Sequence, residues 1–333
     1  SAASDVYKRQ SMIEKKSREY EIEDVFRTYG VLTREAGFYF YFSRKIRELR
    51  ECGHEGTARA YASSLRSMQR YLGKKDFPFI KLSSRIISDY QGKLLASGIC
   101  DNTIGFYLHN IKALFRKGCR EMGLELPCPF RDISIKTEKT LKRSLDPVVI
   151  KTLSAIELEK DSPLSLARDI FMFSFYTRGM SFVDIALLKK RHVFPGEICY
   201  RRHKTDQLMR VGINKEISRI LERYKNVPGE YIFPLFPAER DPYAGYRSAY
   251  HRIRYSLGKI SRVIGLEFPL RLHAARHSWA TIAKVNGASV HVIGECLGHT
   301  SEKTTRIYLK ELDHSALDAV NNQVADFILA VDD

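Results

Sequence analysis

The chain lacks any run of about 18 apolar residues, so no segment of it reads as a membrane span. Its start lacks the charged-then-apolar pattern of a secretory signal, and residues 1–10 are set aside as a tail. Cysteine is sparse: Cys52, Cys100, Cys119, Cys128, Cys199 and Cys296 are scattered, with no C-x-x-C pair. That argues against a disulfide framework and for reduced thiols in a cytoplasmic protein. Tryptophan occurs once, at Trp279, where it reads as a core anchor. Internal repeats and low-complexity segments are absent. Acidic residues are the telling shortage. There are 39 Asp and Glu against 55 Lys and Arg, a net charge of +16. A soluble protein this basic is expected to meet a polyanion, nucleic acid first among them, although a solubilising surface would carry the same count.

What is present begins with helical periodicity. In "DNTIGFYLHNIKALFRKGCREMG" the apolar positions Ile104, Leu108, Ile111, Leu114 and Phe115 share one helical face, with Asp101 or Asn102 to cap the start and Gly123 to end it. The segments "GFYFYFSRKIRELREC", "EGTARAYASSLRSMQRYLG" and "SSRIISDYQGKLLASG" supply three more amphipathic helices. Two basic stripes at helical spacing, Arg59, Arg66 and Arg70, then Lys112, Arg116 and Arg120, lie opposite the apolar faces. They read equally as solvated faces or as phosphate contacts. Residues 127–144, with two prolines and Lys136, Lys139, Lys142 and Arg143, read as a basic linker. The expected organisation is a tail over 1–32, a helical domain over 33–126, the linker, a second domain over 145–312 and a tail helix over 313–333.

The second domain changes character. Ser162 and Pro163 announce a helix with an apolar body. "EICYRRHKTDQLMRVGIN" predicts two short strands around a turn at Thr205–Asp206. Helices are expected near 243–264, 273–286, 289–297, 301–309 and 313–330. The fold class is mainly α with a small antiparallel β-sheet.

Within "RLHAARHSWA", His273 and His277 stand four apart, on one helical face. A zinc helix would need a glutamate in H-E-x-x-H, and here Arg276, a cation, lies between the two histidines. A phosphate site fits better, because a guanidinium offers a planar fork of donors. Downstream come His299 after Gly298, and Tyr308 in a polar helical segment where a packing role is the plain alternative.

The order H-x-x-R-H at 273–277, L-G-H-T-S at 297–301 and T-T-R-I-Y at 304–308 resembles the C-terminal signature of the tyrosine recombinase, or phage integrase, family. "G-T-A-R-A-Y" at 56–61 and "N-T-I-G-F-Y-L" at 102–108 resemble its helical, SAM-like core-binding domain. "T-R-G-M-S-F-V-D-I" at 177–185 is similar to relatives carried by mobile elements and DNA-inversion switches.

The resemblance implies a nucleoid-associated, cytoplasmic bacterial enzyme that cuts and rejoins double-stranded DNA through a 3′-phosphotyrosyl intermediate. Tyr308 would be the nucleophile, and its hydroxyl, with an ordinary pKa near 10, needs activation. Arg276 and His299 would hold the phosphate, His273 would hold it or assist proton movement, and Lys204 on the strand turn would protonate the leaving 5′-oxygen. Cations of the protein itself would stabilise the transition state, so neither metal nor other cofactor is called for. One departure matters. Where the family writes its first arginine, this chain has Ser181, so Arg178 is assigned that role, with Arg168 as second choice. Arg59, Arg66, Arg70, Lys112 and Arg116 become DNA contacts. A homo-tetramer on paired sites, with accessory DNA-bending proteins, is the expected assembly, and the tail helix would dock on a neighbour or on its own domain. Type IB topoisomerase-like relaxation, a non-catalytic DNA-binding regulator and a metallohydrolase using His273 and His277 are the alternatives.

Overall fold

The computed structural model describes residues 37–136, 138, 144–236, 242–299, 301, 304 and 305. The chain divides into two compact units, Ser1–Thr140 and Leu141–Asp333. Mainly helical with one small antiparallel sheet, it has the fold class that the periodicity predicts.

The first unit is built from α1 (Phe38–Glu51), α2 (Glu55–Leu72), α3 (Ser84–Ala96) and α4 (Asp101–Glu121). The four helices match the four amphipathic segments of the sequence. Their apolar faces meet in an aromatic-rich core of Phe38, Phe42, Phe79, Phe115 and Phe130, with Met68, Ile87 and Leu108. Each such side chain removed from water contributes about 1.5–3 kcal/mol. Gly118 on α4 leaves room for Phe79, whose ring would lie 2.5 Å from an added Cβ. Helix α1 has no cap of its own; Asp76, from the loop after α2, accepts from the backbone N–H groups of Tyr39 (2.8 Å) and Phe40 (2.9 Å). A carboxylate at a helix start satisfies donors that would otherwise lack partners and suits the helix dipole. Part of the expected linker packs on this unit: Phe130 is buried, Ile133 and Ile135 lie against the core, and Asn102 exchanges hydrogen bonds with the backbone of Glu138. Its apolar residues find a greasy face, which the count of its lysines did not convey.

The second unit contains α5 (Pro147–Ala155), α6 (Pro163–Tyr176), α7 (Phe182–Ala186), strands β1 (Val193–Phe194), β2 (Glu197–Arg201) and β3 (Leu208–Gly212), then α8 (Lys215–Arg223), α9 (Pro242–Val263), α10 (Leu272–Val285) and α11 (Val290–Leu297). Helix α6 starts as expected, with Ser162 accepting from Ser165 N–H and Pro163 in the first turn. It packs against α5, α8, α9 and α10, and its largely apolar body suits that central place. The sheet order is β1-β2-β3, all antiparallel, with Ile198 opposite Val211 and Tyr200 opposite Met209. Those four residues are buried, so alternate positions of the hairpin face the core. Trp279 is half-buried on a small satellite cluster with Ala280, Ile293 and Leu297, not in the main core. The expected helix at 301–309 is described only at Ser301, Thr304 and Thr305, and the tail helix at 313–330 lies outside the described residues.

Candidate active site

Arg276 is the hub of the site. It lies on α10, and its side chain turns inward, leaving the residue 6% exposed. Nη1 donates to the carbonyl of Gly179 at 2.9 Å, while Nη2 donates to the carbonyl of Leu297 and to Nε2 of His299, the latter at 3.1 Å. A buried guanidinium is tolerated only when its donors find partners, and the two carbonyls and the imidazole accept three of its hydrogen bonds. The close approach depends on Gly179. Its φ is +75°, and an added Cβ would lie 2.5 Å from Cγ and 2.8 Å from Cα of Arg276. No L side chain fits there without moving α10.

The turn that carries Gly179 also carries Arg178. Helix α6 ends at Tyr176, and Arg178 (φ 60°) and Gly179 are consecutive left-handed residues. The turn is held by Gly179 N–H donating to Ser174 O (2.7 Å) and by Ser174 Oγ donating to Met180 O (2.8 Å). Arg178 Nη1 donates to the carbonyl of Arg210 on β3 at 3.4 Å. Ser181, where the family pattern has its arginine, is engaged locally. It caps α7 by accepting from Asp184 N–H (3.4 Å) and donates to Asp184 Oδ2 (2.6 Å). The other carboxylate oxygen of Asp184 accepts from His203 N–H at 2.8 Å. Arg168 belongs elsewhere: it pairs with buried Asp169 at 2.9 Å, in a cluster with Arg223 and Tyr224.

His299 is placed by the end of α11. Leu297 is buried, Gly298 turns left-handed (φ 62°), and the chain then presents the imidazole. His299 Nδ1 lies 2.9 Å from Thr305 Oγ1. Burial, then the charges of Arg276, Arg202, Lys204 and His273, hold its pKa down at about 4, so the ring is neutral near pH 7. Lys204 is exposed at the tip of the β2–β3 turn, where Asp206 (φ 54°) donates its N–H to Arg202 O at 2.8 Å. His273 is exposed on α10, edge-on to His277 with ring centres 4.5 Å apart. Tyr200 reports the same clustering. Burial and Asp184 raise its phenol above the usual range, while Arg202, Arg276 and Arg178 all act to lower it.

The structure thus gathers Arg178, Lys204, His273, Arg276 and His299 around one locus, and Tyr308 lies outside the described residues. Sequence reasoning missed Arg202, whose Nη1 donates to the carbonyl of Gly298 beside His299. It also missed a basic cleft of about 460 Å³ lined by His251, Arg254, Tyr255, Lys259, Arg262 and Arg271. Five of those residues recur at helical spacing in "HRIRYSLGKISR", a stripe as legible as those of the first domain. In the first unit, Arg66, Arg70 and Arg116 are exposed, Lys112 is half-buried, and Arg59 pairs with Glu55 at 2.8 Å. Among the described residues, no group of three or more His, Cys, Asp or Glu could hold a metal, and no helix is long and apolar enough to cross a membrane. Converging cations are chemically suited to an anion with several oxygens, as a phosphodiester is.

Comparison with known proteins agrees with this chemistry. The phage integrase family profile matches residues 144–314, and the phage integrase SAM-like domain matches residues 37–130. Tyrosine recombinase XerC of Shewanella oneidensis is 26% identical over 226 residues, covering 65% of this chain and 70% of that protein. Among solved structures, the Tn1549 transposon integrase in complex with transposon right end DNA superposes with a TM-score of 0.63 at 14% identity, over 87% of this chain and 100% of that one. A lambda integrase tetramer bound to a Holliday junction gives 0.59 at 16%, over 91% and 87%. The chain belongs to the phage integrase family and is a tyrosine-type DNA strand transferase.

Proposed function

We propose that the protein is a site-specific recombinase acting through a phosphotyrosyl intermediate. The observation that carries this is the convergence of Arg178, Lys204, Arg276, His273 and His299 from four separate stretches of chain. In this reading the Tyr308 oxygen attacks a DNA phosphorus. A Tyr–O–P bond forms, the bond from phosphorus to the 5′-oxygen breaks, and Lys204 gives that oxygen a proton. His273 takes the proton that Tyr308 loses. Arg276 and Arg178 hold the non-bridging oxygens, whose charge grows in the transition state, and preorganised donors are the largest source of rate there. A 5′-hydroxyl then attacks the phosphotyrosine, exchanging one phosphodiester for another without an external energy source.

Arg59, Arg66, Arg70, Lys112 and Arg116 of the first unit, and the α9 cleft of the second, are proposed to lie along DNA phosphates. The segment T-R-G-M-S-F-V-D-I favours a mobile-element or inversion role, and the tetrameric lambda integrase supports assembly as a homo-tetramer on paired sites. The test is a nicked duplex built from the DNA flanking the gene, which traps covalent conjugates. Wild-type protein is expected to form a conjugate at a 3′ end, and Tyr308→Phe none. Equal yields from the two proteins would end this reading.

A further inference from the structure

We infer that Thr305 is a positioning residue that receives the Nδ1 proton of His299 and so holds the ring with Nε2, the acceptor from Arg276, turned to the phosphate locus. The inference rests on the recombinase reading for its consequence, and on the hydrogen-bond geometry for its substance. A guanidinium has donors and no acceptor, so the 3.1 Å contact between Arg276 Nη2 and His299 Nε2 requires Nε2 to accept. A neutral imidazole carries one proton, which must then sit on Nδ1 and be donated across 2.9 Å to Thr305 Oγ1.

Thr305 is built into this place. It is fully buried, with no exposed surface. Its Oγ1 would lie 2.8 Å from a Cβ on Gly294, so only glycine on α11 allows the approach, and the carbonyl of that same Gly294 accepts from His299 N–H at 2.9 Å. Side chain and backbone of His299 are therefore held from one spot. In sequence Thr305 stands three residues before Tyr308, so the same bond ties the chain approaching the nucleophile to the phosphate-binding histidine.

The consequence is chemical. With Nδ1–H committed to Thr305, His299 becomes a donor at Nε2 only by taking up a second proton from solvent. A bound phosphodiester favours that proton by its negative charge and by drawing the Arg276 donors to itself. The histidine then acts as an imidazolium, whose charge-assisted hydrogen bond is about twice as strong as a neutral one. In the free protein it stays neutral beside Arg276, which spares the site one like charge.

The test uses the full-length protein with ¹⁵N-labelled histidine, the His299 signals being assigned by their loss in His299→Gln. In the free wild type near neutral pH, the protonated nitrogen is expected to be Nδ1; a proton on Nε2 overturns the inference. Thr305→Val keeps the shape and removes the acceptor, and Thr305→Ser keeps the acceptor. Conjugate formation on the nicked duplex should slow about three- to tenfold in the valine variant, the worth of one hydrogen bond. The Nδ1–H resonance should shift and exchange faster with solvent in that variant, and serine should restore both. A valine variant that cleaves at the wild-type rate, or a serine variant as slow as valine, also overturns it. If wild type forms no more conjugate than Tyr308→Phe, the recombinase reading fails, while the spectrum of the free protein still judges Thr305.

Discussion

Replacing Gly179 with alanine should damage both stability and cleavage, by amounts that follow from the geometry. The residue sits at φ +75°, where an L side chain costs roughly 1–2 kcal/mol. The new methyl would lie 2.5 Å from Arg276 Cγ and 2.8 Å from its Cα and Cβ, against an optimum of about 3.5–4.0 Å for carbon contacts. Because Cα is backbone, a change of side-chain rotamer cannot relieve the clash, and α10 must shift by about 1 Å. Overpacking of that kind costs about 1–3 kcal/mol. The total, about 2–5 kcal/mol, is survivable in a domain whose stability is about 5–15 kcal/mol. The activity is less forgiving. Arg276 donates to the carbonyl of Gly179 itself, so the shift pulls apart the bond that places the guanidinium, and a misplacement of about 1 Å costs roughly 100-fold in rate. Gly196→Ala is the control. That glycine is also left-handed (φ +84°) but has nothing within 4 Å of an added Cβ, so it should show the conformational cost alone. Urea melts give the stabilities and conjugate trapping gives the rate. A Gly179→Ala protein that matches Gly196→Ala in midpoint and wild type in rate would refute the reasoning.

Arg178→Gly should separate strain from function. Glycine relieves about 1 kcal/mol of left-handed strain, so the thermal midpoint should hold or rise, while loss of the guanidinium lowers conjugate formation by about 100-fold or more. A variant that cleaves normally would take the first-arginine role away from Arg178. The α9 cleft is tested by salt. Changing both Arg254 and Lys259 to glutamine should reduce the slope of log affinity against log salt by about 2 if each meets a phosphate, and an unchanged slope removes the cleft from the DNA interface.

The parts of this molecule that were readable in advance are those that local pattern determines. The four helices of the first unit have apolar residues every three or four positions over thirteen or more residues. Helix α6 has both Ser162 and Pro163 at its start, and the β2–β3 hairpin alternates around a polar turn. Helices α5 and α8 escaped because each is nine residues long and buries only two side chains, Ile150 with Leu153 and Ile217 with Ile220, too few to establish a period. Their caps, Asp146 and Asn214, were the available signals. At the site, motif order named Arg276 and His299, which lie 3.1 Å apart, but not how they are held. Arg276 was read as a planar fork of donors suited to a phosphate. It also turns inward to a carbonyl 97 positions away in sequence, a contact that no local pattern encodes. The same limit hid Asp76, which caps α1 from the far side of α2.

How the site holds its arginines bears on what they can do. Three guanidiniums crowd one locus, and like charges repel. Each is anchored by main-chain carbonyls: Arg178 by Arg210, Arg202 by Gly298, and Arg276 by Gly179 and Leu297. Elsewhere in the same unit the fold uses carboxylates, as where Arg168 and Arg223 share Asp169, or where Arg219 pairs with Glu216. The difference is physical. A carboxylate cancels the charge it holds, whereas a carbonyl satisfies the donors and fixes the geometry but leaves the full positive charge in place. Arginines held in the first way stabilise a fold. In the proposed reaction a phosphodiester entering the locus adds negative charge beside the arginines held in the second way. In that proposal the entering anion lowers the repulsion among these cations, so binding and electrostatic preorganisation come from one arrangement.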